Sequence, residues 1–150
     1  MATVKIWIHL VWTTKKRIPY LTEGIRKVVF KHIKENAKKK RIHIDFINGH
    51  KDHVHALISM RSQNSISEIA HLLKGESSHW INKNKFIRYK FAWQDEFYAA
   101  SVCYSEINIV RDYIKNQESH HRVVSFDEEY RLLLKDIGLD LENNNGLKPS

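Results

Sequence analysis

The sequence predicts an α+β protein of ferredoxin-like order, β-α-β-β-α-β. It implies an antiparallel sheet with two helices on one face and a C-terminal tyrosine-bearing helix. Three observations carry this. Short runs alternate apolar and polar residues with period two. Two longer intervals between them carry apolar stripes at helical spacing. Helix-start signals stand where the period changes.

Val4, Ile6, Ile8, Leu10 and Trp12 alternate with Lys5, Trp7, His9 and Val11, which makes a first strand. Thr13-Thr14-Lys15-Lys16-Arg17 followed by Pro19 breaks it into a basic loop. Thr22 stands at the cap position of a helix over 23–41. Ile25, Val28, Val29, Ile33 and Ala37 form its apolar stripe, and Lys38-Lys39-Lys40-Arg41 closes it. Ile42, Ile44 and Phe46 read as a second strand, with a turn from Asn48 to Asp52. His53 to Met60 follows as a third strand, antiparallel to the second. Ser65-Ile66-Ser67-Glu68 fits a capping box ahead of a helix whose stripe is Ile66, Ile69, Ala70, Leu73, Ser77, Trp80 and Ile81.

Lys83 to Lys90 reads as a polar loop and Phe91 to Tyr98 as a fourth strand of poor alternation. Ile107, Val110, Ile114 and Gln117 give helical spacing to a third helix from about Tyr104 to Ser119. Ser125-Phe126-Asp127-Glu128 repeats the capping-box pattern and opens a short helix bearing Tyr130, Leu133 and Leu134, stopped by Gly138. The expected organisation is one domain over residues 1–140 and a disordered tail over 141–150, without internal repeats.

The net charge is +8, and its distribution is uneven. Residues 1–41 hold twelve Lys/Arg against Glu23 and Glu35, whereas the remainder is slightly acidic. Such asymmetry points to nucleic acid or an anionic membrane surface. No run is long and apolar enough to span a bilayer, and the N-terminus lacks the features of a signal peptide. Nucleic acid is the favoured partner. Lys15, Lys16, Arg17, Lys38, Lys39, Lys40 and Arg41 are the leading candidates for phosphate contacts, with Arg88 and Lys90 behind them. Cys103 is the only cysteine, which excludes an internal disulfide and fits a reducing cytoplasm.

Two constellations carry chemistry. His53 and His55 are i and i+2 on a strand, so both imidazoles share one face and can share one metal ion, while Val54, Ala56 and Ile58 face the core. The plain alternative is a pair of half-exposed polar residues on an open sheet face. Tyr113 and Gln117 are i and i+4, one turn apart on a helix, so that a phenolic oxygen lies near a neutral metal-ligating oxygen. Here the plain alternative is a tyrosine at a helix–sheet contact.

Taken together and in this order, these residues resemble the single-tyrosine HUH transposases of small bacterial insertion sequences. The matching segments are His9-Leu10-Val11-Trp12-Thr13-Thr14-Lys15-Lys16-Arg17, Asp52-His53-Val54-His55-Ala56-Leu57-Ile58 and Tyr113-Ile114-Lys115-Asn116-Gln117. Leu73-Lys74-Gly75-Glu76-Ser77-Ser78 and Trp93-Gln94-Asp95-Glu96-Phe97 fall where that family carries similar segments. The resemblance runs from about residue 5 to 135.

The resemblance implies cleavage and rejoining of single-stranded DNA through a 5′-phosphotyrosine at hairpin-bearing element ends. Tyr113 would be the nucleophile, and His53, His55 and Gln117 the ligands of a divalent ion. Mg²⁺ or Mn²⁺ suits a polarising role better than Zn²⁺. It further implies a homodimer, with the balance toward a site shared between two chains, in a bacterial cytoplasm and on the nucleoid when bound to DNA. The phenol must lose its proton during attack, to metal-bound water or to a nearby base. A covalent intermediate conserves the phosphodiester energy, and the sequence carries no P-loop or glycine-rich nucleotide motif.

Competing readings are a non-catalytic ferredoxin-like nucleic-acid-binding domain stacking bases on Trp7 or Phe46, a domesticated relative that cleaves hairpin repeats without mobilising itself, and a zinc hydrolase. The last lacks a recognisable zinc pattern.

Overall fold

The structure, a computed structural model, describes residues 2–139. The expected tail of 141–150 lies outside the described residues. Residues up to Gln117 form one compact unit and those from Glu118 a second. The elements of the first are β1 (Ile6–Thr13), α1 (Glu23–Lys39), β2 (His43–His50), β3 (His53–Met60), α2 (Ile66–Lys83), β4 (Tyr98–Val102) and α3 (Ile107–Lys115). After α3 come α4 (Gln117–His121), which begins at the junction, and α5 (Phe126–Asp136).

The sheet order is β2-β3-β1-β4, and every neighbouring pair is antiparallel. β3 is inserted between β1 and β2, the split β-α-β arrangement that the element order predicts. Alternation then assigns two faces. Ile8, Leu10 and Trp12 of β1 join Val54, Ala56, Ile58 and Met60 of β3 in the main core, beneath α1 and α2. Trp7 of β1 and Leu57 of β3 lie on the other face, in a second apolar cluster with Ile107 and Ile114 of α3. The two-sided burial explains why Leu57, on the histidine face, is fully enclosed.

Several local expectations shift. In α1 the buried positions are Arg26, Val29, Phe30, Ile33 and Ala37, while Val28 turns outward. Arg26 is tolerated inside because its Nη1 donates to the Leu21 carbonyl at 3.2 Å. The second strand continues through Asn48 and Gly49 to His50, leaving Lys51 and Asp52 as a two-residue turn. The expected fourth strand over 91–98 is instead β4 at Tyr98–Val102, pairing with β1 from Val11↔Tyr98 to Trp7↔Val102. The reason is side-chain capture. Asn82 takes both backbone groups of Phe91, at 2.8 and 2.9 Å, and Ser77 accepts from Trp93 Nε1 at 2.9 Å. Phe91 and Trp93 therefore plug the core as an irregular segment, and an isolated bridge, Thr14↔Trp93, links it to the residue that follows β1.

The expected long third helix is also divided. A 3₁₀ turn at Tyr104–Glu106 leads into α3, and Asn116 interrupts the helix before Gln117. In the second unit the capping box holds: Ser125 Oγ accepts from Glu128 N at 3.3 Å. Gly138, at φ 82°, ends α5 in a Schellman arrangement, with Gly138 N donating to Lys135 O and Leu139 N to Leu134 O.

Candidate active site

His53 and His55 project from β3 onto the face covered by α3, and both are completely buried, not half-exposed on an open face. Close chain packing fixes their strand. Gly49 pairs with Val54, and a Cβ at Gly49 would lie 2.1 Å from the His53 carbonyl oxygen, so only glycine permits this approach of β2 to β3. The turn before His53 is braced on both carbonyls. Leu21 N donates to Lys51 O and Thr14 N to Asp52 O, each at 2.9 Å.

A polar chain runs through His53. Its Nδ1 lies 2.8 Å from Asp52 Oδ1, and its Nε2 lies 3.0 Å from Gln117 Oε1. Arg17 closes the chain from outside, with Nε and one terminal nitrogen both 3.0 Å from Asp52 Oδ2. Burial pushes the Asp52 carboxyl up. The hydrogen bond from His53 and the nearby charges of His53 and Arg17 outweigh it and hold the carboxyl below the ordinary carboxylate value. An ionised Asp52 accepts the Nδ1–H of His53, which leaves the Nε2 lone pair directed at Gln117 Oε1. Two electron-rich atoms held at this separation by a carboxylate-oriented imidazole are the donor set of a metal site.

His55 has its own partner. Its Nδ1 lies 2.8 Å from His9 Nε2, and the two rings stack with centroids 5.0 Å apart. With His55 Nδ1 donating to His9, the lone pair for a metal sits on His55 Nε2. His9 is buried on β1, diagonal to His55 in the register Val11↔His55, His9↔Leu57. Neither His9 nor Asp52 is among the site residues that the sequence proposes. Period two already puts His9 on the face opposite Leu10, so the parity of β1 held the signal; the pairing of β1 with β3 supplied what was missing.

Tyr113 is half-buried on α3, its ring centroid 5.6 Å from that of His55 and 6.1 Å from that of His9, edge-on to both. Three contacts dock α3 onto this chain's own sheet. Arg111 makes a paired bond to Asp45 at 2.6 and 2.8 Å, Asn48 Nδ2 donates to the Lys115 carbonyl at 3.1 Å, and Ile107 and Ile114 enter the cluster with Trp7 and Leu57. Gln117 Nε2 reaches the Tyr113 carbonyl at 3.4 Å, so the i,i+4 relation survives the break at Asn116. In this single chain the tyrosine helix lies on the sheet that carries the two histidines. The connection from β4 is short enough, and the apolar face of α3 wide enough, for His53, His55, Tyr113 and Gln117 to meet within one chain.

The basic residues divide. Lys15 and Lys16 are exposed in the turn after β1, beside His53, because Thr13 pairs with His53. Arg17 belongs to this turn too, but its guanidinium is tied to Asp52. Exposed Arg88 and Lys90 precede the segment that bridges to Thr14. Lys38, Lys39, Lys40 and Arg41 are exposed where α1 ends, before His43, which pairs with Ser59. That is the opposite end of β3 from His53, roughly 20 Å away at strand rise. No helix among the described residues is long and apolar enough to cross a membrane.

Comparison with known proteins gives a consistent result. A family model described as "Transposase IS200 like" matches residues 2–117. Among solved structures, a candidate transposase from Deinococcus radiodurans R1 superposes with a TM-score of 0.63 at 21% identity, covering 77% of this chain and 93% of that one. The REP-associated tyrosine transposase bound to a REP hairpin gives 0.62 at 15% identity, covering 83% of this chain and 73% of that one. A search of curated proteins finds no match.

Proposed function

Because this chain belongs to the IS200-like transposase family, we propose that it cleaves and rejoins single-stranded DNA at hairpin-bearing ends through a tyrosine–DNA intermediate formed at Tyr113. The observation that carries this reading is the edge-on placement of the Tyr113 ring against His9 and His55 while Gln117 meets His53, all in one chain.

The donor set fits a divalent cation. His53 and His55 each present one ring nitrogen while the other is engaged by Asp52 or His9, and Gln117 adds a neutral oxygen. Such a cation, Mg²⁺ or Mn²⁺, would polarise the scissile phosphate and offset the charge that builds on it. Three neutral ligands leave that positive charge undiminished. The chain's own residues do the rest. The Tyr113 oxygen attacks phosphorus, a phosphate–tyrosine ester forms, the bond to the 3′ oxygen breaks, and the phenol proton is lost as the leaving oxygen gains one. A 3′-hydroxyl attacking the ester reverses the step, so rejoining requires no nucleotide. Lys15 and Lys16 would hold the strand's phosphates at the His53 end of the sheet, and Lys38 to Arg41 would engage duplex or hairpin at the other end.

The test is incubation of hairpin-bearing single-stranded DNA with Mg²⁺ or Mn²⁺, followed by denaturing electrophoresis. The expected product is a covalent protein–DNA adduct, lost with chelator and lost in Tyr113→Phe while DNA binding persists. An adduct formed by Tyr113→Phe excludes Tyr113 as nucleophile. Mixing Tyr113→Phe chains with His53→Ala, His55→Ala chains tests the one-chain site. With subunit exchange shown by differently tagged chains, mixed dimers are expected to stay inactive. Recovered adduct would place the tyrosine helix on the partner.

A further inference from the structure

A second histidine cluster is formed by residues of the unit that begins at Glu118. His120 and His121 are adjacent at the end of α4, and Glu129 lies in the first turns of α5. Glu129 Oε2 is 3.0 Å from His120 Nε2, and Oε1 is 3.3 Å from His121 Nε2. One ligand atom from each of the three residues falls within 4.8 Å of the others. The carboxylate is 1% exposed, His121 4% and His120 25%.

The hydrogen-bond chemistry of His121 narrows what belongs between them to a proton or a cation. Its Nδ1 lies 2.9 Å from the Val124 carbonyl oxygen, which can only accept, so Nδ1 carries the hydrogen. In the neutral ring Nε2 is then a lone pair, and it faces a carboxylate oxygen. Unless Nε2 gains a proton or a cation, two acceptors meet in a buried setting, which is unfavourable. A proton on His121 Nε2 answers that contact, and a neutral His120 can donate to the other oxygen from its own Nε2. A divalent cation answers all three ligands at once.

The distances agree with that. A tetrahedral ion with bonds of about 2.0–2.1 Å separates its ligand atoms by about 3.3 Å, close to the observed 3.0 and 3.3 Å. The Val124 carbonyl fixes the tautomer and ring direction of His121, as a second layer of contacts does in metal sites. We propose that His120, His121 and Glu129 form a zinc-class metal site that staples α4 to α5. A two-histidine, one-carboxylate set suits Zn²⁺ better than Mg²⁺, which prefers oxygen ligands. The structural gain is clear, because α4 has five residues and a helix that short does not hold its form in water unaided.

The test uses the full-length, untagged protein and Zn²⁺ as the probe. Zinc per chain is measured after dialysis against dilute Zn²⁺, and amide hydrogen exchange is followed over residues 118–136 with and without zinc. His120→Ala, His121→Ala is expected to bind one equivalent fewer than the unmodified chain. His53→Ala, His55→Ala is expected to keep one equivalent, which Glu129→Gln then removes. Zinc should slow exchange over 118–136 in the unmodified chain and not in Glu129→Gln. Unchanged stoichiometry in His120→Ala, His121→Ala would overturn the proposal and leave the cluster a proton-bridged pair. Should the His53→Ala, His55→Ala protein fail to fold, judged by circular dichroism, the comparison of His120→Ala, His121→Ala with the unmodified chain decides alone.

Discussion

Truncating Ile114 to alanine probes the docking of the tyrosine helix directly. Ile114 is fully enclosed, next to Tyr113, in the cluster formed with Trp7, Leu57 and Ile107. Ile→Ala at a buried site removes apolar packing and leaves a cavity, costing about 2–5 kcal/mol. α3 is one nine-residue helix on a sheet and can partly settle into the space, so the lower half applies, about 2–3 kcal/mol. With a urea slope of about 1.5–2 kcal/mol/M, the midpoint should fall by roughly 1–2 M. Since α3 positions Tyr113, adduct formation should fall as well, in urea-free buffer, while DNA binding is retained. The decisive control is protein concentration. If α3 rests on its own sheet, the midpoint shift is the same from dilute to concentrated protein. A stability change that appears only with increasing concentration, or none at all, would refute docking within the chain.

Three further outcomes follow from the same geometry. His9→Phe keeps a ring on β1 but removes the nitrogen that engages His55; divalent-ion affinity, measured by titration calorimetry, should fall by about 10–100-fold, and unchanged affinity would remove His9 from the site. Lys15→Ala, Lys16→Ala should lower the salt slope of single-strand binding by roughly 0.7 for each phosphate that a lysine no longer neutralises, whereas an unchanged slope would remove that turn from the interface. Asp45 is held below its ordinary value of 3.8, chiefly by the hydrogen bond from Arg111, against the opposing effect of burial. A depressed carboxyl stabilises the fold above its unfolded pKa and loses that contribution as pH falls through the folded one. Asp45→Asn should therefore melt below the unmodified protein at neutral pH, with the gap closing as pH drops below 3.8; a gap that persisted there would mean the Arg111 pairing is not its source.

Local patterning along the chain assigned the face of each central strand and the nature of the candidate ligands. Strict alternation put His53 and His55 opposite Val54 and Ala56, and turn and cap residues such as Ser65, Ser125 and Gly138 marked element ends through local hydrogen bonding that short range dictates. Tertiary structure decided the rest. His9 became a partner of His55 only when β1 paired beside β3, because a strand's sequence fixes its parity but not its neighbour. Asp52 and Arg17 acquired their roles from a turn braced by Leu21 and Thr14. Phe91 and Trp93 read as strand residues, yet Asn82 and Ser77 captured them for the core, and the weakly alternating Tyr98–Val102 took the free edge of β1. Whether the tyrosine helix stays on its own sheet could not be read along the chain. It rests on Arg111 meeting Asp45 and on Ile114 meeting Leu57, contacts between residues more than fifty positions apart, which no local pattern encodes.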